Sequence, residues 1–251
     1  MISEAFKVSF KRATLYRANL ISWILADISL YTGTFLTYWL LTSSINSIGG
    51  YFPGEIMLYI SSFLLVNNVF AAFFSDAVSE YLSQVLSGKL HNMILKPRHL
   101  IMVTMLSNIN FPPLITTPFL LFINIFYLRA VNGISIQYYL LIVSGAITMG
   151  FLYFTLYSFG LLGFRMQMLS DVIFQLMQVS ERPDTVFPYT ARNILTYIIP
   201  VFLFSAVPTR YALGKINYTT FVWALSAPVV HFVLLMIIIK VGLSNYREAT
   251  H

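Results

Sequence analysis

The chain has 251 residues, 58% of them apolar and only 10% charged, with a formal net charge of +6 at pH 7. Soluble domains carry about 25% charged residues, so the excess of Phe, Leu, Ile and Tyr points away from an ordinary soluble α-helical domain and toward a polytopic helical membrane protein. The 15 Lys and Arg residues lie between apolar runs rather than in one basic stripe, a topology pattern and not a nucleic-acid footprint. With no Cys in the chain, disulfides, thiolate metal sites and Cys nucleophiles are excluded.

In chain order, residues 3–18 read as an interfacial amphipathic helix. Phe6, Phe10 and Ala13 recur at helical spacing beside Lys7 and Lys11, and Ser3 and Glu4 suit the helix start. The other reading is a basic tail that only sets orientation. The apolar run that follows is too long for the core of a cleavable signal. Six spans are expected, at 20–42, 56–75, 101–128, 137–163, 166–181 and 219–241, each near the roughly 20 residues needed to cross the hydrocarbon. In the third, "NFPPLITTP" is expected to bend or unwind, because Pro112, Pro113 and Pro118 lack an amide donor. In the fourth, Gly145, Gly150, Gly160 and Gly163 offer close helix contacts.

Residues 165–215 have two readings. In one, 166–181 crosses and 183–214 returns as a re-entrant hairpin in the outer leaflet. In the other, 165–193 is cytoplasmic and 194–213 crosses. With the N-terminus inside, the first puts ten basic residues inside and five outside; the second puts twelve inside and three outside. The positive-inside rule favours the second. Both give six crossings and two cytoplasmic termini.

The segment 76–100 is then the longest cytoplasmic loop between spans. Val78, Tyr81, Leu82, Val85 and Leu86 recur at helical spacing, Gly88 interrupts, and "KLHNMIL" ends before Pro97. Two short helices joined at a glycine make a docking knob; the alternative is an amphipathic connector that touches only lipid.

Polar residues inside spans are candidates for a path or for helix contacts. These are Asp27 in the first span, Asn67 and Asn68 in the second, and Asn108 and Asn110 in the third. Arg165 and Asp171 read as anchoring or topology devices. Neither Gly88-Lys89 nor Gly214-Lys215 is followed by the hydroxyl residue a P-loop requires, so no nucleotide site is expected. The four His residues have no metal spacing. His231 is the one candidate base deep in a span, with no nucleophile motif beside it, so an enzyme is not expected.

Two stretches carry a resemblance. In "SGKLHNMILKP", Gly88, Leu90, Ile94, Leu95, Lys96 and Pro97 match a motif that follows the second span. In "RPDTVFPYTARNILTYIIPVFLFSAVPTRYALG", Pro183, Phe187, Pro188, Arg192, Leu195, Thr196, Pro200, Pro208, Leu213 and Gly214 match a second signature. The chain thereby resembles the permease subunit of type-2 ABC exporters, specifically the stand-alone six-span permeases of about this length. His91 departs from the pattern, where the family often has a carboxylate.

The resemblance implies an all-α polytopic permease with a cytoplasmic coupling helix and the re-entrant reading of 183–214, against the charge count. It implies docking of a cytoplasmic ATPase on Tyr81, Leu82, Val85, Leu86, Gly88, Leu90, Leu95 and Pro97, and an outer gate bent at Pro183, Pro188, Pro200 and Pro208. A second permease, identical or a sister, would enclose with this one a path in the plasma membrane between their first, second and fifth spans, while Asp27, Asn67, Asn68 and Asn108 stay candidates for that path or for helix contacts. ATP and Mg would sit on the partner ATPase, with no cofactor or metal in this chain. The rival functions are a proton-coupled secondary transporter and a non-transporting membrane scaffold.

Overall fold

The computed structural model describes residue 11 and residues 17–87, 109–131 and 133–248. Residues 3–10 and 12–16 of the expected interfacial helix at 3–18, the coupling segment from residue 88 onward and the start of the third span at 101–108 lie outside the described residues. So do Gly88, Leu90, Leu95, Pro97 and Asn108.

The chain is an all-α membrane protein. Helix α1 covers Arg17–Ser44, and its 28 residues extend about 42 Å. Only Tyr31 and Thr42 are buried. Its hydroxyls bond back onto the same helix, Ser22 to Ala18 O at 2.9 Å, Thr34 to Leu30 O at 2.9 Å and Thr37 to Gly33 O at 2.8 Å. Polar side chains can therefore face lipid without unmet donors. A tight turn follows, in which Ile48 and Tyr51 exchange two backbone hydrogen bonds of 3.1 Å. Gly49 and Gly50 sit at φ 57° and 78°, the left-handed pair that a two-residue hairpin of this kind demands.

Helix α2, Pro53–Phe70, has thirteen buried residues and stands at the centre of the bundle. Pro53 opens it, and the Glu55 carboxylate accepts the Phe52 N–H at 2.9 Å. Its apolar residues surround the axis, as expected of a helix enclosed on every side. It runs through a π-helical turn, Ala71–Ser75, directly into α3, Asp76–Leu86. Together they form one helix, Pro53–Leu86, of 34 residues. At about 50 Å this rod exceeds a hydrocarbon core of about 30 Å, so one end projects.

Helix α4, Phe111–Val131, corrects the expected bend in the third span. Pro112 and Pro113 fall in the first turn, where no amide partner exists to lose, so they start the helix instead of breaking it. Only Pro118 lies in the interior. Helix α5, Ile136–Ser158, is prolonged by a 3-10 turn, Phe159–Leu162. Gly145, Gly150 and Gly160 each sit where a Cβ would collide with a neighbour, respectively the Leu203 carbonyl, the Phe74 ring and the Met166 sulfur. Gly163 differs from the expectation. It has open space around it and φ 90°, and it ends the helix rather than packing it.

Helix α6, Met166–Glu181, is followed by short pieces: a 3-10 turn Asp184–Val186, α7 Tyr189–Asn193, a π turn Ile194–Ile198, a 3-10 turn Val201–Phe204 and α8 Ala206–Ala212. Helix α9, Tyr218–Glu248, closes the bundle against α5. Pro228 inside it cannot donate to the Ala224 carbonyl four residues back, and Ser144 Oγ of α5 donates there at 2.5 Å. Among the described residues, five helical segments are long and apolar enough to cross a membrane: α1, the rod, α4, α5 with its 3-10 turn, and α9 through Ser244. Helix α6, at 16 residues, is the short one.

A Cβ at position 145 would lie 2.6 Å from Leu203 O, a backbone atom that no rotamer change can remove. Gly145→Ala should therefore destabilise the protein by about 1–3 kcal/mol. The check is the midpoint of thermal unfolding in detergent, which should fall for Gly145→Ala and hold for Gly33→Ala, where nothing lies within 4 Å.

Candidate functional site

Residues 183–214 leave the bundle and come back to where they began. Arg210 Nη1 lies 3.4 Å from Asp184 Oδ2, joining the two ends of the segment. Between them, Leu203 O rests against Gly145, nine residues into α5 and so about 14 Å along it. Residues 200–209 are buried throughout, whereas Tyr189 and Ile198 of the outgoing arm are exposed.

Each of the four prolines singled out in the sequence stands at the head of a short helical piece. Pro183 precedes the first 3-10 turn, Pro188 caps α7, Pro200 precedes the second 3-10 turn, and Pro208 is in the first turn of α8. A fixed φ and a missing amide suit these positions. Helical pieces this short leave most of their backbone groups outside any internal ladder.

A group of hydroxyls supplies partners. Tyr59 of α2 donates toward the carbonyls of Ser180, at 2.9 Å, and Arg182, at 2.6 Å, and its oxygen lies 2.8 Å from Ser205 Oγ. Ser205 donates to Ser180 O at 2.7 Å. Deeper in, Thr209 Oγ1 is 3.3 Å from Ser62 Oγ, Ser62 is 2.8 Å from Tyr138, and Asn124 Nδ2 bonds Tyr138 at 2.7 Å and Ser61 at 3.0 Å. Tyr51 donates to Asp184 Oδ1 at 2.8 Å. Burial, with the Asp184 charge next, pushes the Tyr51 phenol well above its ordinary pKa, so it stays a donor. Lys215 pairs with Glu55 at 3.0 Å beside the same cluster. Chain reading missed this cluster, since Tyr51, Tyr59, Ser180, Asp184, Ser205 and Arg210 are far apart in sequence; Arg210 lying just before the matched Leu213-Gly214 was the one nearby signal.

Asn68 is a helix joint. Its Oδ1 accepts from Tyr31 at 3.1 Å and Thr116 at 3.4 Å, and its Nδ2 donates to Pro113 O at 3.1 Å and Thr117 at 3.0 Å. That uses its full capacity and ties α1, α2 and α4 together. Asn67 and Asp27 are half-buried, and neither has a side-chain hydrogen bond among the described residues. Asn110 belongs to the π turn. Its N–H donates to Ala72 O at 2.9 Å, and its amide reaches Asp76 at 3.4 Å. Phe74, within that turn, fills the notch at Gly150.

At the projecting end, α3 presents two faces. Tyr81 is 2% exposed, its hydroxyl 2.6 Å from Ser158 and its ring edge-on to Phe154. Leu82 and Val85 pack on the core, Val85 against Gly160. These three therefore hold α3 to its own chain. Leu86 is 63% exposed and shares the outer face with Glu80 and Ser83.

The sequence from residue 28 to residue 250 matches the family described as ABC-2 family transporter protein. The chain belongs to that family. No curated protein and no solved structure matches it. An ABC-2 permease is the multi-pass membrane component of an ABC transporter, and permeases of this family generally work with an ATPase subunit. In this ABC-2 permease, the central rod carries the returning segment at one end and the projecting helix at the other.

Asp184 is 1% exposed and Arg210 26%. Arg210→Gln should strand a buried carboxylate and cost about 3 kcal/mol, the low end for a broken buried pair because Arg210 still reaches solvent. Adding Asp184→Asn should recover most of it, since Asn still accepts from Tyr51. Thermal midpoints and protease nicking within 183–214 report both effects.

Proposed function

We propose that the chain is the permease subunit of an ATP-driven exporter, powered by a separate cytoplasmic ATPase. It would sit in the plasma membrane with both termini cytoplasmic and pair with a second permease, identical or a sister. The carrying observation is the continuous helix Pro53–Leu86. Its outer end holds 183–214 through Tyr59 and Ser62, and its other end runs past the thickness of the hydrocarbon. A push on α3 is thus delivered to the returning segment by a rod enclosed along most of its length.

On this reading α3 and the residues that follow it are the coupling element, and the ATPase meets it on the face of Leu86, Glu80 and Ser83. Residues 183–214 are a re-entrant outer gate. The contact of Leu203 with Gly145 supports entry into the outer leaflet, and the Asp184–Arg210 pair supports a return to the same side. The demand on the motor is differential affinity: it must bind the two permease states unequally, or nothing moves.

Two measurements test this reading. Leu86→Asp should cut co-purification of a co-expressed P-loop ATPase partner at least tenfold, while Tyr81→Phe, which removes only the internal Ser158 contact, should leave it intact. Unchanged recovery with Leu86→Asp refutes docking on this face. The chain has no native Cys, so Tyr189→Cys gives a clean topology probe. It should react in intact cells with an impermeant thiol reagent; protection until the cells are opened would refute an outer gate.

A further inference from the structure

Helix α6 carries a stripe of amide and carboxylate side chains on its exposed face. Gln167, Asp171, Gln175 and Gln178 recur at intervals of four, four and three, so they share an arc of about 80° on a helix that turns about 100° per residue. The buried residues of α6 are Leu169, Ile173 and Ser180, on the opposite side of the axis. All four stripe residues are exposed, and none has a side-chain hydrogen bond among the described residues. The stripe points away from its own subunit.

The helix is not lying along a membrane surface. At its start Met166 touches Gly160, itself in contact with Val85 at the projecting end of the rod. At its end, Ser180 and Arg182 are held by Tyr59 near the rod's other end, and Tyr38 donates to Glu181 O at 3.2 Å. Helix α6 therefore runs along the bundle for about 24 Å, from beside Val85 toward the residues held by Tyr59, and the stripe runs with it.

Lipid is the wrong neighbour for that face. A glutamine amide seeks several hydrogen bonds, and hydrocarbon offers none. An ionised carboxylate at this depth is costlier still. The contrast lies within the molecule. The exposed face of α1 is built from Trp23, Leu25, Leu30, Leu36 and Trp39, and that of α9 from Val222, Val229, Val233 and Ile237. Those faces suit acyl chains.

We infer that the Gln167–Asp171–Gln175–Gln178 face of α6 lines a water-filled path and takes a polar, hydrogen-bonding solute, uncharged or cationic, rather than a lipid or an anion. The inference rests on the permease reading and adds the substrate class to it. The amides supply donors and acceptors that exchange with water and solute alike. Asp171, in the first half of the stripe, sets the sign of the field, and Gln175 lies one turn away, about 5–6 Å on a helix surface. Apolar Met168, Val172 and Phe174 flank the stripe and would meet lipid or the second permease at the margins of the path.

The test uses single cysteines in the full chain, expressed with its ATPase and held in membrane vesicles. Gln175→Cys and Gln178→Cys are compared with Leu25→Cys and Val229→Cys on the lipid-suited faces. A charged, water-soluble methanethiosulfonate should modify positions 175 and 178 at least tenfold faster than 25 and 229. At position 175 a cationic reagent should outrun an anionic one several-fold, and Asp171→Asn should remove that preference. If 175 and 178 react no faster than the lipid-facing controls, while an uncharged permeant maleimide labels them, the face is sealed by lipid or protein and the inference is wrong. Equal rates for cationic and anionic reagents would overturn the charge selectivity. Fast, cation-preferring labelling whose rate does not change when ATP is added to vesicles that hold the ATPase would uphold the path while refuting the ATP-driven pump.

Discussion

Hydrocarbon offers a carbonyl or an amide no partner, and that constraint organises this molecule. Each departure from regular helix inside the bundle is matched by a donor or acceptor from elsewhere. The Ala224 carbonyl, deprived of its amide by Pro228, receives Ser144. The Ala72 carbonyl, in the π turn, receives Asn110. The carbonyls of Ser180 and Arg182, where α6 gives way to short pieces, converge on Tyr59. Two buried side-chain groups among the described residues depart from the pattern, one of them the Tyr139 hydroxyl. Asn124 Oδ1 is buried with no partner, although the Asn124 amide is fully engaged.

The same constraint ties stability to function. Residues 183–214 are too irregular to hold themselves together, so they borrow their hydrogen bonds from the central rod. They cannot shift without exchanging those bonds, and the rod cannot shift without presenting different ones. Packed structures of this kind change between discrete arrangements rather than bending continuously. The proposed gate would switch between two such arrangements. The outer cluster adds a charged clasp, Asp184 with Arg210 and Tyr51, at the point where the two ends of the segment meet.

Much of the architecture was legible in the residues because its signals are local. Apolar runs of the right length are read directly, and "YFPGE" announces the start of the rod through Pro53 and Glu55. What the sequence concealed depended on three-dimensional neighbours. Pro112 and Pro113 read as breakers until the start of α4 put them in its first turn. Gly163 read as a packing glycine because spacing does not reveal a left-handed φ. The contact of Tyr81 with Ser158 was hidden because periodicity identifies a face without saying what covers it. The polar stripe of α6 was present in the sequence at a helical interval, yet only the burial of Leu169 and Ile173 shows which way it points. Asp171, taken alone as an anchor, gains a different meaning beside three glutamines.

The π turn at Ala71–Ser75 has a geometric corollary. Relative to an unbroken α-helix, its extra residue rotates everything after it by about 100° around the axis. Tyr81 meets Ser158, and Val85 meets Gly160, only because of that offset. Relaxing the turn to regular α-helix with all its residues kept would bring another face of α3 toward α5, whereas excising one residue together with the turn would leave Tyr81 and Val85 facing as they do, so the orientation of the whole projecting arm is encoded by one wide loop of backbone rather than by the arm's own composition.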